Sequence, residues 1–326
     1  MTSSPQRRIG LREEHSDAAI SYLYGVSMKY AVLLCVLLTV CSAWGEPVFE
    51  KAKYTDGRQS PFYTFYYDKA VSADGRRTYR IITGVPKAKA PEKGYRAVYA
   101  VDGNAVIHHI TDAQLEKLAE NDPPVIVAIG YDADVLFDMP SRTYDFTPSK
   151  DGKPFKDELD PSRVGGGASQ FIDFIERTVF PLSETKTHID RDRRTLFGHS
   201  YGGLFVLSAL SERPRLFSRY VSADPSLWWQ EGAFFKKIMQ TKDVSGISLL
   251  MMKGASAEGY LPAKGDIEKV RMRKKLYANA PKDAALDVVR KLSAEGMKTQ
   301  YREYGYLSHG PLFPVSLDAA LFADKE

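Results

Sequence analysis

The stretch that decides the reading is Thr195-Leu196-Phe197-Gly198-His199-Ser200-Tyr201-Gly202-Gly203, followed by the apolar run Leu204 to Leu210. Thr195 to Phe197 has the β-branched and aromatic character of a short strand, and Leu204 to Leu210 has the length and pattern of a helix. Between them lies G-x-S-x-G, a sharp strand-to-helix turn that presents a serine; glycines flank it because side chains there would clash. The turn also places the Ser200 hydroxyl at the positive end of a helix, where developing negative charge is stabilised. In such a turn the His199 side chain points away from Ser200, as a packing residue would.

Outward from this turn, short β-branched and aromatic runs alternate with helix-length segments. Phe62 to Tyr67 and Thr78 to Gly84 read as an antiparallel pair. Ala97 to Val101, Val125 to Ile129, Thr195 to Phe197, Arg219 to Ala223, Ile247 to Met252 and Thr299 to Tyr304 read as further strands. The pattern predicts an α/β-hydrolase fold: a mostly parallel central sheet of about eight strands with helices on both faces. Gln170 to Val179 places Phe171, Phe174, Ile175 and Val179 on one helical face. Tyr131 to Gly167, with four prolines and four glycines, predicts a long active-site loop. Residues 254–296 read as a helical insertion, and its cluster Arg271-Met272-Arg273-Lys274-Lys275 is a solvated helix face or an electropositive rim.

A serine nucleophile needs a base, and in this fold the histidine follows the serine in the chain. Of six histidines only His309 does so, in Leu307-Ser308-His309-Gly310-Pro311 just past the last predicted strand. His108 and His109 fall on the helix after Asn104, and His188 in a polar connection. The acid belongs after the strand Ile247 to Met252, where Glu258 comes first and Asp266 next; Glu258 is the candidate. The oxyanion hole is expected from the backbone N–H of Tyr201 and that of Asn104 in Asp102-Gly103-Asn104, where Gly103 lets the backbone come close.

The chain has 326 residues, 44 % hydrophobic and 26 % charged, which excludes disordered and fibrous classes. Met28 to Gly45 reads as a signal peptide with cleavage before Glu46: Lys29 gives a positive start, Ala31 to Cys41 an apolar run, and Ala43 to Gly45 a small-residue cleavage site. The run has 11 residues, short of the roughly 20 that cross a bilayer, so attachment to the inner membrane through residues 28–45 is the weaker alternative. Residues 1–27 read as an extension that is not native to the protein, and 46–326 as a single domain. Both cysteines, Cys35 and Cys41, lie in the signal, so the mature chain offers no disulfide and no thiol-based metal site. Net charge is +4, and the first 45 residues carry four basic and three acidic groups, which leaves +3. That balance argues against nucleic acid and suits an anionic small substrate.

Five segments carry a resemblance to the esterase D branch of the α/β-hydrolases, in particular the periplasmic siderophore esterases that open enterobactin and salmochelin trilactones: Tyr99 to Asn104, Ser141 to Pro148, Phe197 to Gly203, Ser222 to Trp229, and Ser308 to Gly310. The resemblance implies Ser200 as nucleophile, His309 as base, Arg142 as a substrate-contacting arginine, and a Ser–His dyad without a clear acid. Asp224 is a departure, since relatives often have serine or asparagine before that proline. An iron tris-catecholate is anionic and aromatic, so Arg142 could pair with and stack on it while Trp228, Tyr131 and Tyr144 supply walls. Alternatively, Arg142 and Asp145 pin the loop and Trp228-Trp229 are core. No cofactor is expected, and iron would enter only with substrate. A general carboxylesterase or acyl-thioesterase of the same family, and a non-catalytic siderophore-binding protein, are the alternative functions.

Overall fold

The computed structural model describes residues 57–254, 271 and 275–322. Its main sheet has eight strands: β1 (Tyr63–Val71), β2 (Thr78–Pro86), β3 (Tyr95–Val101), β4 (Val125–Tyr131), β5 (Ile189–His199), β6 (Arg219–Ala223), β7 (Ser248–Gly254) and β8 (Lys298–Tyr304). Their order in space is β1-β2-β4-β3-β5-β6-β7-β8. β2 pairs antiparallel with both β1 and β4, and every pairing from β4 through to β8 is parallel. All eight expected strands are present, and β5 begins six residues earlier than its apolar pattern suggests.

β3 and β4 are buried at every position because helices cover both faces, so they read as continuous apolar runs. Alternate side chains feed two separate cores. Tyr99, Val101, Val127, Ile129 and Leu196 point into one, and Val98, Ala100, Ile126, Ala128 and Phe197 into the other. The first core is closed by α4 (Ala168–Phe174) and α5 (Tyr201–Glu212). The second is closed by α1 (Gly103–His109), α2 (Asp112–Ala119) and α8 (Leu312–Leu321). α4 runs on through a π-helical turn, Ile175–Val179, into Phe180–Glu184. That wide turn ends one residue before the Phe180-Pro181 step, and Pro181 has no N–H to offer the Arg177 carbonyl and crowds it.

The stretch 131–167 is a structured excursion and corrects the expectation of a long loop. It contains α3 (Met139–Phe146) and a two-stranded ribbon, Phe155–Lys156 with Val164–Gly165. Asp138 caps α3, its carboxylate accepting from Ser141 N at 3.1 Å, and Pro140 stands in the first turn, where a missing N–H costs nothing. α6 (Trp229–Ile238) follows β6, and α7 (Ala284–Ala294) lies between β7 and β8. Most of the Arg271–Lys275 cluster, Glu258, Asp266 and residues 1–56 lie outside the described residues. No helix among the described residues is long and apolar enough to cross a membrane.

Candidate active site

Ser200 sits between β5 and α5 with φ 62° and ψ −118°, a conformation that costs a non-glycine residue about 1–3 kcal/mol. Close packing enforces it. A Cβ on Gly198 would lie 2.3 Å from the Gly202 carbonyl oxygen, one on Gly202 2.9 Å from Val101, and one on Gly203 2.7 Å from the Ala223 carbonyl oxygen. The three glycines let the turn press against β3 and β6. Ser200 N donates to Ala223 O at 2.9 Å and Ser200 O accepts from Ser226 N at 3.2 Å. Its hydroxyl has no hydrogen-bond partner among the described residues.

His309 lies in the turn between β8 and α8, its side chain 41 % exposed. Its backbone carbonyl accepts from His199 Nε2–H at 2.8 Å, and the two rings are 4.5 Å apart. His199 is buried, and burial, reinforced by the positive field of His309, pushes its pKa down to about 3. It is therefore a neutral strut that ties the turn holding His309 to the strand holding Ser200. The far end of α8 is fixed as well: Arg96 donates to Leu321 O, and Arg219 to Ala319 O and Ala320 O.

His309 Nδ1 donates to Asp224 Oδ2 at 2.6 Å. Asp224 begins the turn after β6 with φ 41°, and its own N–H donates to Met252 O at 2.7 Å. Lys253 Nζ donates to its second oxygen, Oδ1. Burial alone would raise the Asp224 pKa, but the hydrogen bond and charge of His309, joined by Lys253, hold it well below the usual carboxylate range. The carboxylate facing the histidine thus comes from the end of β6, whereas the sequence pointed past β7 to Glu258. Glu258 lies outside the described residues, and the nitrogen it would have to receive from is already bound. Gly254 makes the approach possible, since a Cβ there would lie 2.9 Å from Leu307 O.

The β3–α1 turn faces the same sheet edge. Asp102 adopts φ 57° and ψ 43°. A Cβ on Gly103 would lie 2.6 Å from Gly130 N, so only glycine lets α1 start against β4. The Asn104 amide donates to the carbonyls of Tyr131, Ala133 and Val135 and accepts from Tyr131 N, which commits its side chain to structure. The backbone N–H groups of Asn104 and Tyr201 have no carbonyl partner among the described residues.

Most of the expected substrate lining is buried. Arg142 is 5 % exposed, and its Nε and Nη2 form a bidentate pair with Asp102 at 2.8 and 2.9 Å. Its guanidinium carbon lies 5.5 Å from the ring centres of Phe137, Phe146 and Tyr201. Its charge is neutralised beside the turn that bears Gly103 and Asn104, so it is not a cation open to solvent. Tyr131 is buried with its hydroxyl on Asp145, Trp228 is buried against Tyr201, and the half-buried Tyr144 lies beneath Arg77. Asp145 pairs with Arg77 at 3.0 Å and not with Arg142. Arg142→Ala is therefore expected to lower stability by about 3–5 kcal/mol, because Asp102 would be left buried and unpaired. It should also impair small neutral and large anionic esters alike. Denaturant unfolding and kcat/KM on both substrate types check this, and a loss confined to the anionic ester would refute it.

The strand order, with a serine turn closing the fifth strand, is that of the α/β-hydrolases, and on it the chain is a serine ester hydrolase. The chain belongs to the esterase family, since the family model described as "Putative esterase" matches residues 72–258. It is 35 % identical over 267 residues to the apo-salmochelin esterase of Escherichia coli, covering 80 % of this chain and 79 % of that one. It is 31 % identical over 258 residues to the ferri-bacillibactin esterase BesA of Bacillus subtilis, covering 77 % and 86 %. Among solved structures it is similar to the enterobactin hydrolase IroE in complex with DFP, with 34 % identity, TM-score 0.65, and coverage of 81 % and 95 %.

Proposed function

We propose that the chain is an exported siderophore esterase that opens the macrocyclic triester of a catecholate siderophore to linear products. The observation that carries this reading is the set of relatives at 31 to 35 % identity, named apo-salmochelin, ferri-bacillibactin and enterobactin esterases. The strained serine turn and the Asp224–His309 bond support the chemistry. Ser200 Oγ attacks a lactone carbonyl as His309 Nε2 takes its proton, and Asp224 steadies the imidazolium through Nδ1. The Tyr201 and Asn104 N–H groups receive the oxyanion, each worth about 2.7–4 kcal/mol if such a donor is aimed at the transition state. His309 then returns the proton to the departing alkoxide, and a water activated by the same nitrogen releases the acyl group from Ser200. Iron would enter as part of the substrate.

Residues 28–45 support export to the periplasm, with Glu46 as the first residue of the mature chain. The burial of Arg142, Tyr131 and Trp228 favours a second reading, a general carboxylesterase, because it removes the basic aromatic lining expected for a tris-catecholate. One preparation tests these readings. Protein taken from the periplasmic fraction should have a mass beginning at Glu46, and with enterobactin it should yield linear trimer, then dimer and monomer. Turnover of p-nitrophenyl acetate without any cleavage of the trilactone would overturn the siderophore reading, and protein found only in the cytosol with Met1 retained would overturn export.

A further inference from the structure

We propose that Lys253 is a positioning residue for the Asp224–His309 pair: its ammonium grips Asp224 Oδ1 while Oδ2 receives His309 Nδ1–H, which fixes the carboxylate and sets the pH range over which His309 acts as a base. The inference rests on the Ser200–His309 reading and not on the identity of the siderophore. Lys253 stands near the end of β7, just before the segment where the superfamily ordinarily supplies the acid. In this chain β7 contributes a cation, and the acid comes from the neighbouring β6. Asp224 is 6 % exposed and carries both bonds, so each of its oxygens is taken. An anion held by an ammonium on one oxygen and an imidazole N–H on the other can neither rotate nor pick up a proton easily, and both constraints keep Nδ1–H pointed and Nε2 available.

Among the described residues, few charged or titratable groups face the pair. Asp224 favours the charged imidazolium and Lys253 disfavours it. His199 on β5 is neutral, and Arg142 is cancelled by Asp102. On β8, Tyr301 lies within electrostatic reach of Asp224 but stays a neutral phenol, burial raising its pKa to about 12. Glu303 stands in register with Lys253 and is exposed. Among the described residues, Lys253 is thus the cation bonded to the carboxylate that holds His309. Removing its charge leaves the Asp224 carboxylate less compensated beside the imidazole, which favours imidazolium and moves the acid limb of the rate profile to higher pH.

The test is the pH dependence of kcat/KM on p-nitrophenyl acetate for the full-length chain and its variants. Lys253→Met and Lys253→Gln should each shift the acid limb upward by about half to one pH unit, while Lys253→Arg, which keeps the charge, should leave it in place. A uniformly lower rate with an unmoved limb in both neutral variants would overturn the proposal and leave Lys253 an ordinary surface ion pair. His309→Ala separates the two levels of inference. Turnover retained there overturns the Ser200–His309 reading together with the role of Lys253, whereas turnover abolished there with an unmoved limb at Lys253 overturns the role of Lys253 alone.

Discussion

Ser200→Ala is expected to lower kcat on every ester by about 10⁵- to 10⁶-fold and to leave the fold intact. The stability part follows from the environment of the side chain. The Ser200 hydroxyl has no partner among the described residues, so its loss orphans no buried donor or acceptor. Alanine inherits the strain of φ 62°, because any Cβ is disfavoured there. Ser200→Gly keeps the catalytic defect but removes the strain, and should unfold at higher denaturant, by about 1 kcal/mol or more. The two variants separate the two properties of one position: activity follows the hydroxyl and stability follows the Cβ. Turnover in Ser200→Ala within tenfold of the parent would refute the nucleophile assignment. A glycine variant no more stable than the alanine variant would refute the strain account.

The serine turn is legible in the sequence because everything that makes it lies within a few residues of Ser200: the strand before it, the helix after it, and glycines whose missing Cβ atoms admit Gly202, Val101 and Ala223. The position of His309 is legible for a similar reason, since chain order and the last strand confine it. The carboxylate partner of His309 is not, because the Asp224–His309 bond joins residues 85 positions apart and depends on which of two adjacent strand ends reaches the histidine. A signal does exist. Asp224 follows directly on the strand next to β5, and aspartate tolerates the left-handed conformation found there. In the sequence it stands out only as a departure from relatives. Arg142 misleads in the opposite sense. A lone arginine in a proline- and glycine-rich stretch suggests exposure, but its partner Asp102 is 40 positions earlier and both are buried. The same count of prolines hides α3, although Pro140 in a first turn and Asp138 at the cap are helix-starting signals.

Asp224→Asn should lower kcat by about 10⁴-fold with little change in KM or in folding. Asparagine matches aspartate in shape, so the turn after β6 and the packing around it are kept. What changes is the proton inventory. If the new amide presents its NH₂ to His309, Nδ1 must accept, which moves the imidazole proton to Nε2, the atom that has to take the proton from Ser200. If it presents its carbonyl oxygen, the tautomer is right but no negative charge balances the imidazolium that forms in the transition state, and Lys253 is left beside it without a counter-ion. Either arrangement acts on the chemical step and not on binding, which is why the defect belongs in kcat. Glu258→Ala, made in parallel, should change kcat only a few-fold, since Nδ1 is already engaged by Asp224. A loss of less than tenfold in Asp224→Asn, set against a loss of about 10³-fold or more in Glu258→Ala, would move the acid back past β7 and leave the end of β6 without a part in the chemistry.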